Sequence, residues 1–337
     1  MESMSSRPHA LASLAVAVLV TVGIAGCGSG DEHGRPDVPT VSPQTPLPAP
    51  PVSRAAEGTV VPAPGLGGAL AIAGGTLAAI ATDGRSVALF AANDLSRPPK
   101  TVPTPPVRAI APDGDRFVAV GPTTAVRIAA DGTTTEAPLT RPGLSVAVDG
   151  GEVLVGTEHG RLLVLDAGLR QTDDVAGLVR IDAVGVARHG DKRQIVVLDR
   201  AQSLVTTIDP GAGQRGPALR AGNGATTMTV DHYGRIVVAN PRDGQLLGFY
   251  GDPLVTRFRF PVADGPYGLA YDDRRNLLWV SATAANRLVA YDLSSGEPRE
   301  RASIAAVRQP NSVVVDPASG AVYALSASGE GLQRVDR

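Results

Sequence analysis

Eight residues stand just ahead of short apolar runs and carry side chains able to hold a small polar ligand. They are Arg108, Arg141, Arg180, Asn223, Asp264, Tyr267, Gln309 and Asn311. Glu158, His159, Arg242 and Asn286 fall in a second series of polar turns. Guanidinium and amide groups gathered around one opening could take a carboxylate, a phosphate or a sugar. The plainer reading is that they solvate turns, because loop residues are commonly polar without further purpose. HExxH, CxxC and GxSxG are all missing from the chain, so no catalytic residue and no metal ligand is assigned.

A second set recurs too regularly to be a reaction centre. Asp113, Asp149, Asp231, Asp272 and Asp316 occupy equivalent turns, and Asp166, Asp209, Asp292 and Asp336 close equivalent strands. A carboxylate there accepts N–H bonds of its own turn, which explains the recurrence structurally. The chemistry of Cys27, the chain's single cysteine, is of another kind. Ala10–Ala25 is an uncharged, mostly apolar run of 16 residues that leads into Ile24-Ala25-Gly26-Cys27. Such a run is short for a bilayer span, which needs about 20 residues, but fits the hydrophobic segment of a signal peptide. The four residues resemble the lipobox of bacterial lipoproteins, which implies cleavage after Gly26 and a diacylglyceryl thioether on Cys27. Acyl chains at about 0.8 kcal/mol per buried methylene would make the anchor durable.

These residues need elements to hold them. Residues 1–26 read as a signal peptide, and residues 27–57 as a lipidated cysteine followed by a disordered tether. Seven of the sixteen positions Pro36–Pro51 are proline, which blocks helix and ladder and favours an extended chain. The thirty residues Gly28–Glu57 could span roughly 90 Å at full stretch. From Gly58 onward, apolar runs of four to six residues alternate with Asp/Gly turns and show no helical period.

One phrase recurs seven times: a strand, a tight turn, a second strand, a polar turn and a third strand. LSVAVDGGEVLVGTEHGRLLVLD (144–166) and MTVDHYGRIVVANPRDGQLLGFY (228–250) are two copies. Taking Gly74, Asp113, Asp149, His189, Asp231, Asp272 and Asp316 as the first turns gives spacings of 39, 36, 40, 42, 41 and 44 residues. A period near 40 is that of a four-stranded propeller blade, and a less apolar stretch between copies supplies the fourth strand. The seventh copy has no such stretch before Arg337, and an open edge would be an aggregation hazard. The lone β-prone segment near residues 58–62 is the one available partner. The expectation is therefore an all-β, seven-bladed β-propeller over residues 58–337, its last blade closed by that N-terminal strand.

LLWVSATAANRLVAYDLSSGE (277–297) resembles the YVTN-type propeller repeat, and GLAYD (268–272) and NSVVVD (311–316) resemble the first strand of NHL/YVTN blades. The resemblance is sharp in the last three copies. The WD dipeptide is absent, and Trp279 is the only tryptophan. It implies a propeller from a functionally mixed family, so fold alone does not decide activity.

With 31 Lys+Arg against 33 Asp+Glu, no nucleic-acid footprint is expected. The resulting expectation is a monomeric, membrane-anchored extracytoplasmic lipoprotein whose propeller binds a small ligand or an envelope protein, without a cofactor. The alternative is a propeller enzyme with its site in the central channel: a calcium-dependent lactonase-like hydrolase, a lyase or a quinoprotein dehydrogenase. Asn223, Asn311, Asp264 and Glu158 would then surround the calcium.

Overall fold

In the computed structural model, which describes Met1 and residues 38–336, seven antiparallel sheets follow one another along the chain. The expected signal peptide beyond Met1, Cys27 and the first part of the expected tether lie outside the described residues. Blade 1 is built from Leu66–Ala73, Thr76–Ala81, Ser86–Ala91 and Lys100–Pro103, paired in that order from the axis outward. Blades 2, 3, 5 and 6 repeat this order, beginning at Ala109, Gly143, Thr227 and Pro266.

The seventh blade takes three strands from the C-terminal end, Pro310–Val315, Val322–Ser326 and Leu332–Val335, and its outer strand from Thr59–Val61. Thr59, Val60 and Val61 stand opposite Arg334, Gln333 and Leu332. Gly58 enters this strand with φ +80°, and a Cβ there would collide with the Arg334 carbonyl oxygen. Glycine is therefore required where the chain turns in to close the ring.

The unbroken apolar runs follow from where the middle strands sit. A strand sends alternate side chains to opposite faces, and in a propeller both faces of a blade are covered by neighbours. Phe117 and Ala119 pack into the cluster shared with blade 1, whereas Val118 and Val120 join the cluster shared with blade 3. Leu77 and Ala79 likewise face blade 7, and Ala78 and Ile80 face blade 2. Each of the seven hydrophobic clusters lies between successive blades, so the core is a ring of seams. Tyr323 crosses one seam, donating its hydroxyl to the Ala92 carbonyl at 2.6 Å.

Blade 4 departs from the expected pattern. Its outer strand is split into Gln214–Arg215 and Leu219–Arg220, both paired to Leu204–Asp209. Pro217 has no N–H for the ladder, and the Thr206 hydroxyl turns to the Gly216 and Pro217 carbonyls at 2.8 and 3.1 Å.

The tether also differs from expectation. Composition predicts a free spacer through Glu57, yet residues within 41–50, and Glu57 itself, are hydrogen-bonded to blades 4 to 7. The reason is a row of donors on the propeller, whose positions depend on the fold. At the end of this path, Glu57 donates its N–H to the Ala305 carbonyl at 3.0 Å and accepts from the Ala305 N–H at 3.2 Å.

Candidate functional site: the loop face

Two kinds of loop share one end of the ring. One leads into the innermost strand of each blade, and the other joins the second and third strands. Six of the eight residues singled out in the sequence belong to the first kind, and Tyr267 and Asn311 are the second residues of the innermost strands of blades 6 and 7. Four of the six non-glycine residues with positive φ among the described residues lie on this face: Ser203 (49°), Asp264 (62°), Asn286 (51°) and Gln309 (53°). Side-chain-bearing residues seldom adopt this conformation, and clamps are among the places where it persists.

On blades 2 and 3 the arginines are matched by carboxylates. Arg108 pairs with Glu158 across the two blades. Arg141 and Arg161 converge on Asp174, the first at 3.4 Å. Arg161 also donates to the Asp174 carbonyl at 3.2 Å.

Blade 4 forms a transition. Arg180 donates through Nε to both oxygens of Asp182 at 2.8 and 2.9 Å. Asp182 also accepts the Arg200 N–H at 2.9 Å. Beside it, Asp199 accepts N–H bonds from Val179, Arg180 and Gln202, fixing two loops at once. Burial, the strongest influence, raises the Asp199 carboxyl above its ordinary pKa. Burial likewise pushes up the Tyr267 hydroxyl, with Arg200 working in the other direction.

From blade 4 to blade 7 the rim holds peptide backbone. Residues 41–50, Val-Ser-Pro-Gln-Thr-Pro-Leu-Pro-Ala-Pro, form a strap across it. The Val41 N–H donates to the Ala201 carbonyl at 2.7 Å. Arg242 donates to the Ser42 carbonyl at 3.2 Å and to the Gln44 side-chain oxygen at 3.1 Å, and Arg200 reaches the Gln44 carbonyl. Gln309 grips the strap twice, donating to the Leu47 carbonyl at 3.1 Å and accepting the Ala49 N–H at 2.8 Å. Arg308 donates to the Ala49 carbonyl at 3.4 Å, and Asn286 to the Pro50 carbonyl at 3.0 Å.

The clamp is fixed from behind. Asn286 ends the 3-10 turn Thr283–Ala285 in a left-handed conformation, which frees its amide to face the strap. Its oxygen accepts the Gln309 N–H at 3.0 Å, and Asn311 accepts the Gln309 amide at 3.0 Å.

The expected residues thus separate into groups and do not share one pocket. Gln309 and Asn311 meet. Arg180 lies in the Asp182 cluster, near Tyr267, while Arg108 and Arg141 belong to separate ion pairs. Asn223 takes part through its backbone, its carbonyl accepting from Arg242 at 2.9 Å and its N–H donating to Asp243 at 2.9 Å. Asp264 is exposed, and its carbonyl accepts the Ala284 N–H at 2.9 Å. Among the described residues no three His, Cys, Asp or Glu side chains are grouped to hold a metal ion.

Sequence reading missed Arg200, Arg308 and the strap itself. Leu47 was the available signal. It is the only apolar residue larger than valine in Gly28–Glu57, and it lies against Gly265, where an added Cβ would be 2.8 Å from its side chain.

Below the rim the throat is aliphatic. A cavity of about 480 Å³ is lined by Leu70, Ile72, Ile110, Val146, Leu269 and Val313, among others. Towards the opposite end a second space of about 460 Å³ takes on charge from Asp149, Arg188, His232 and Asp273.

No family model and no curated protein sequence matches the chain. Solved structures do. Hydrazine synthase of Kuenenia stuttgartiensis aligns with TM-score 0.69 at 15% identity, covering 84% of this chain and 99% of that one. A streptogramin B lyase aligns with TM-score 0.65 at 12% identity, covering 83% and 96%. A chain of a mitotic checkpoint complex aligns with TM-score 0.71 at 14% identity, covering 88% and 99%. At such identities the likeness is one of fold, and these folds carry enzymes as well as an assembly component. The chain is thus similar to β-propellers of unrelated activities.

Proposed function

We propose that this protein is a lipid-anchored, extracytoplasmic binding scaffold of a bacterial envelope, with its ligand-holding surface on the loop face. The observation that carries the reading is the strap: a row of arginine and amide groups on blades 4 to 7 already holds an extended polypeptide by its carbonyls. A surface that does this is equipped for recognition. The anchor rests on the apolar run and Ile24-Ala25-Gly26-Cys27, with Cys27 the lipidated residue.

Two experiments test the reading. Cys27→Ser should release the protein from membranes with its melting temperature unchanged, and continued retention would remove the anchor. Crosslinking in intact cells should capture an envelope partner through the loop face, and its absence from every crosslinked product would remove the scaffold.

The enzyme alternative, in which calcium sits among Asn223, Asn311, Asp264 and Glu158, predicts stoichiometric calcium binding that Asp264→Ala abolishes. The scaffold reading predicts none.

A further inference from the structure

We infer that the loop face of blades 4 to 7 is a binding site for extended, proline-rich peptide, and that residues 41–50 fill it in cis. This rests on the scaffold reading and gives that scaffold a ligand class.

The contacts define the class. Five carbonyls, those of Ser42, Gln44, Leu47, Ala49 and Pro50, accept from Arg242, Arg200, Gln309, Arg308 and Asn286 respectively. A polyproline II chain makes no internal hydrogen bonds, so its carbonyls are all available, and proline sets the extended form in advance. The rim therefore reads conformation first. Side chains are read at two places. Leu47 lies on Gly265, and Ala49 is only 8% exposed, so the ligand needs an aliphatic residue and, two positions later, a small one.

The site belongs to the propeller and not to the strap. Gln309 and Asn286 hold each other in left-handed backbone conformations, and Asn311 orients the Gln309 amide. Such preset donors lose little freedom when a peptide arrives. The occupant in cis has a further advantage. Seven residues separate Pro50 from Gly58, where the chain enters the seventh blade. A linker so short gives an effective concentration in the millimolar range. A proline-rich segment of another protein must therefore overcome the chain's own strap.

The test uses the full mature chain and a fluorescent ten-residue peptide of the sequence VSPQTPLPAP. Replacing residues 41–50 by an equally long Gly/Ser sequence should lower the dissociation constant for this peptide at least ten-fold relative to the native chain. Adding Gln309→Ala to that variant should weaken binding about ten-fold, whereas adding Arg108→Ala should not change it.

No saturable binding to the Gly/Ser variant, while it still unfolds in one cooperative transition, would overturn the site. So would binding indifferent to Gln309→Ala. If the Gly/Ser variant fails to fold, hydrogen exchange on the native chain decides the matter. Millimolar peptide should then speed exchange at the Val41 and Ala49 amides, and unchanged protection would overturn the proposal. A partner crosslinked to the loop face together with a negative peptide result would leave the scaffold standing and remove the peptide site alone.

Discussion

The two halves of the loop face use the same residue types to opposite ends. On blades 2 and 3, Arg108, Arg141 and Arg161 have carboxylates within reach and form ion pairs. On blades 4 to 7, Arg200, Arg242 and Arg308 face main-chain carbonyls of a segment that cannot pair with itself. An arginine at a channel mouth thus becomes a ligand group when its guanidinium, among the described residues, is turned to a main-chain carbonyl and not to a carboxylate. Arg180 marks the border, because Asp182 neutralises it while Asp182 also caps the Arg200 N–H.

The largest effect should come from the end of the covered half where the chain enters the ring. Deleting residues 58–62 removes the outer strand of blade 7, together with the Val61 contact to its core. The expected cost is on the order of 3 kcal/mol, a fall of roughly 10 °C in melting temperature. Replacing residues 41–50 by Gly/Ser should cost well under half of that. Equal losses would mean that strap and closing strand are one structural unit, and the contrast between them would be gone.

Gly265→Val comes next. The new side chain falls on Leu47, and a β-branched residue at φ +70° adds strain of about 1–2 kcal/mol. Limited proteolysis within residues 41–50 should accelerate, with the ring otherwise intact. Unaltered cleavage would show that Leu47 does not seat the strap.

At the border, Asp199 supplies a pH signature. Burial raises its carboxyl in the folded protein, so the proton is held more tightly there than in the unfolded chain. Its contribution to stability is then greatest in acid, and it is lost as pH rises from the ordinary value of 3.8 through the raised one. Asp199→Asn abolishes this slope while giving up one of three backbone bonds, about 1 kcal/mol. Melting curves between pH 4 and 7 should show the variant gaining on the native protein as pH rises, and the opposite drift would refute the assignment.

The smallest effect belongs to the open half. Arg108→Ala breaks an exposed ion pair, with side chains 43% and 34% accessible, and should cost less than about 1 kcal/mol. Protection of the strap should be unaltered. If it falls, the halves are coupled.

The ring was legible in the sequence because each seam imposes its pattern locally. Runs such as Val118-Ala119-Val120 must be apolar on both faces, and the lone β-prone segment at residues 58–62 has its partner in Leu332–Val335. The turn aspartates were equally plain. Asp231 accepts the N–H groups of Tyr233 and Arg235, and Asp272 those of Arg274 and Arg275. The site was harder to read. Proline content says that residues 41–50 are extended, but their partners lie some 160 to 260 positions away, beyond the range of any local pattern. The same limit applied to Arg108 and Gln309. Their separate fates depend on whether Glu158 or Leu47 stands opposite, which only the closed ring decides.

A docked strap also shortens a leash. On the lipid-anchor reading, Gly28–Thr40 alone separates the acylated thiol from the first held residue, thirteen residues with a contour of about 40 Å at 3.1 Å each. Unseated as far as Glu57, the same leader could extend to roughly 90 Å. Occupancy of the rim would then set how far above the bilayer the disc can travel, turning a binding event into a change of altitude.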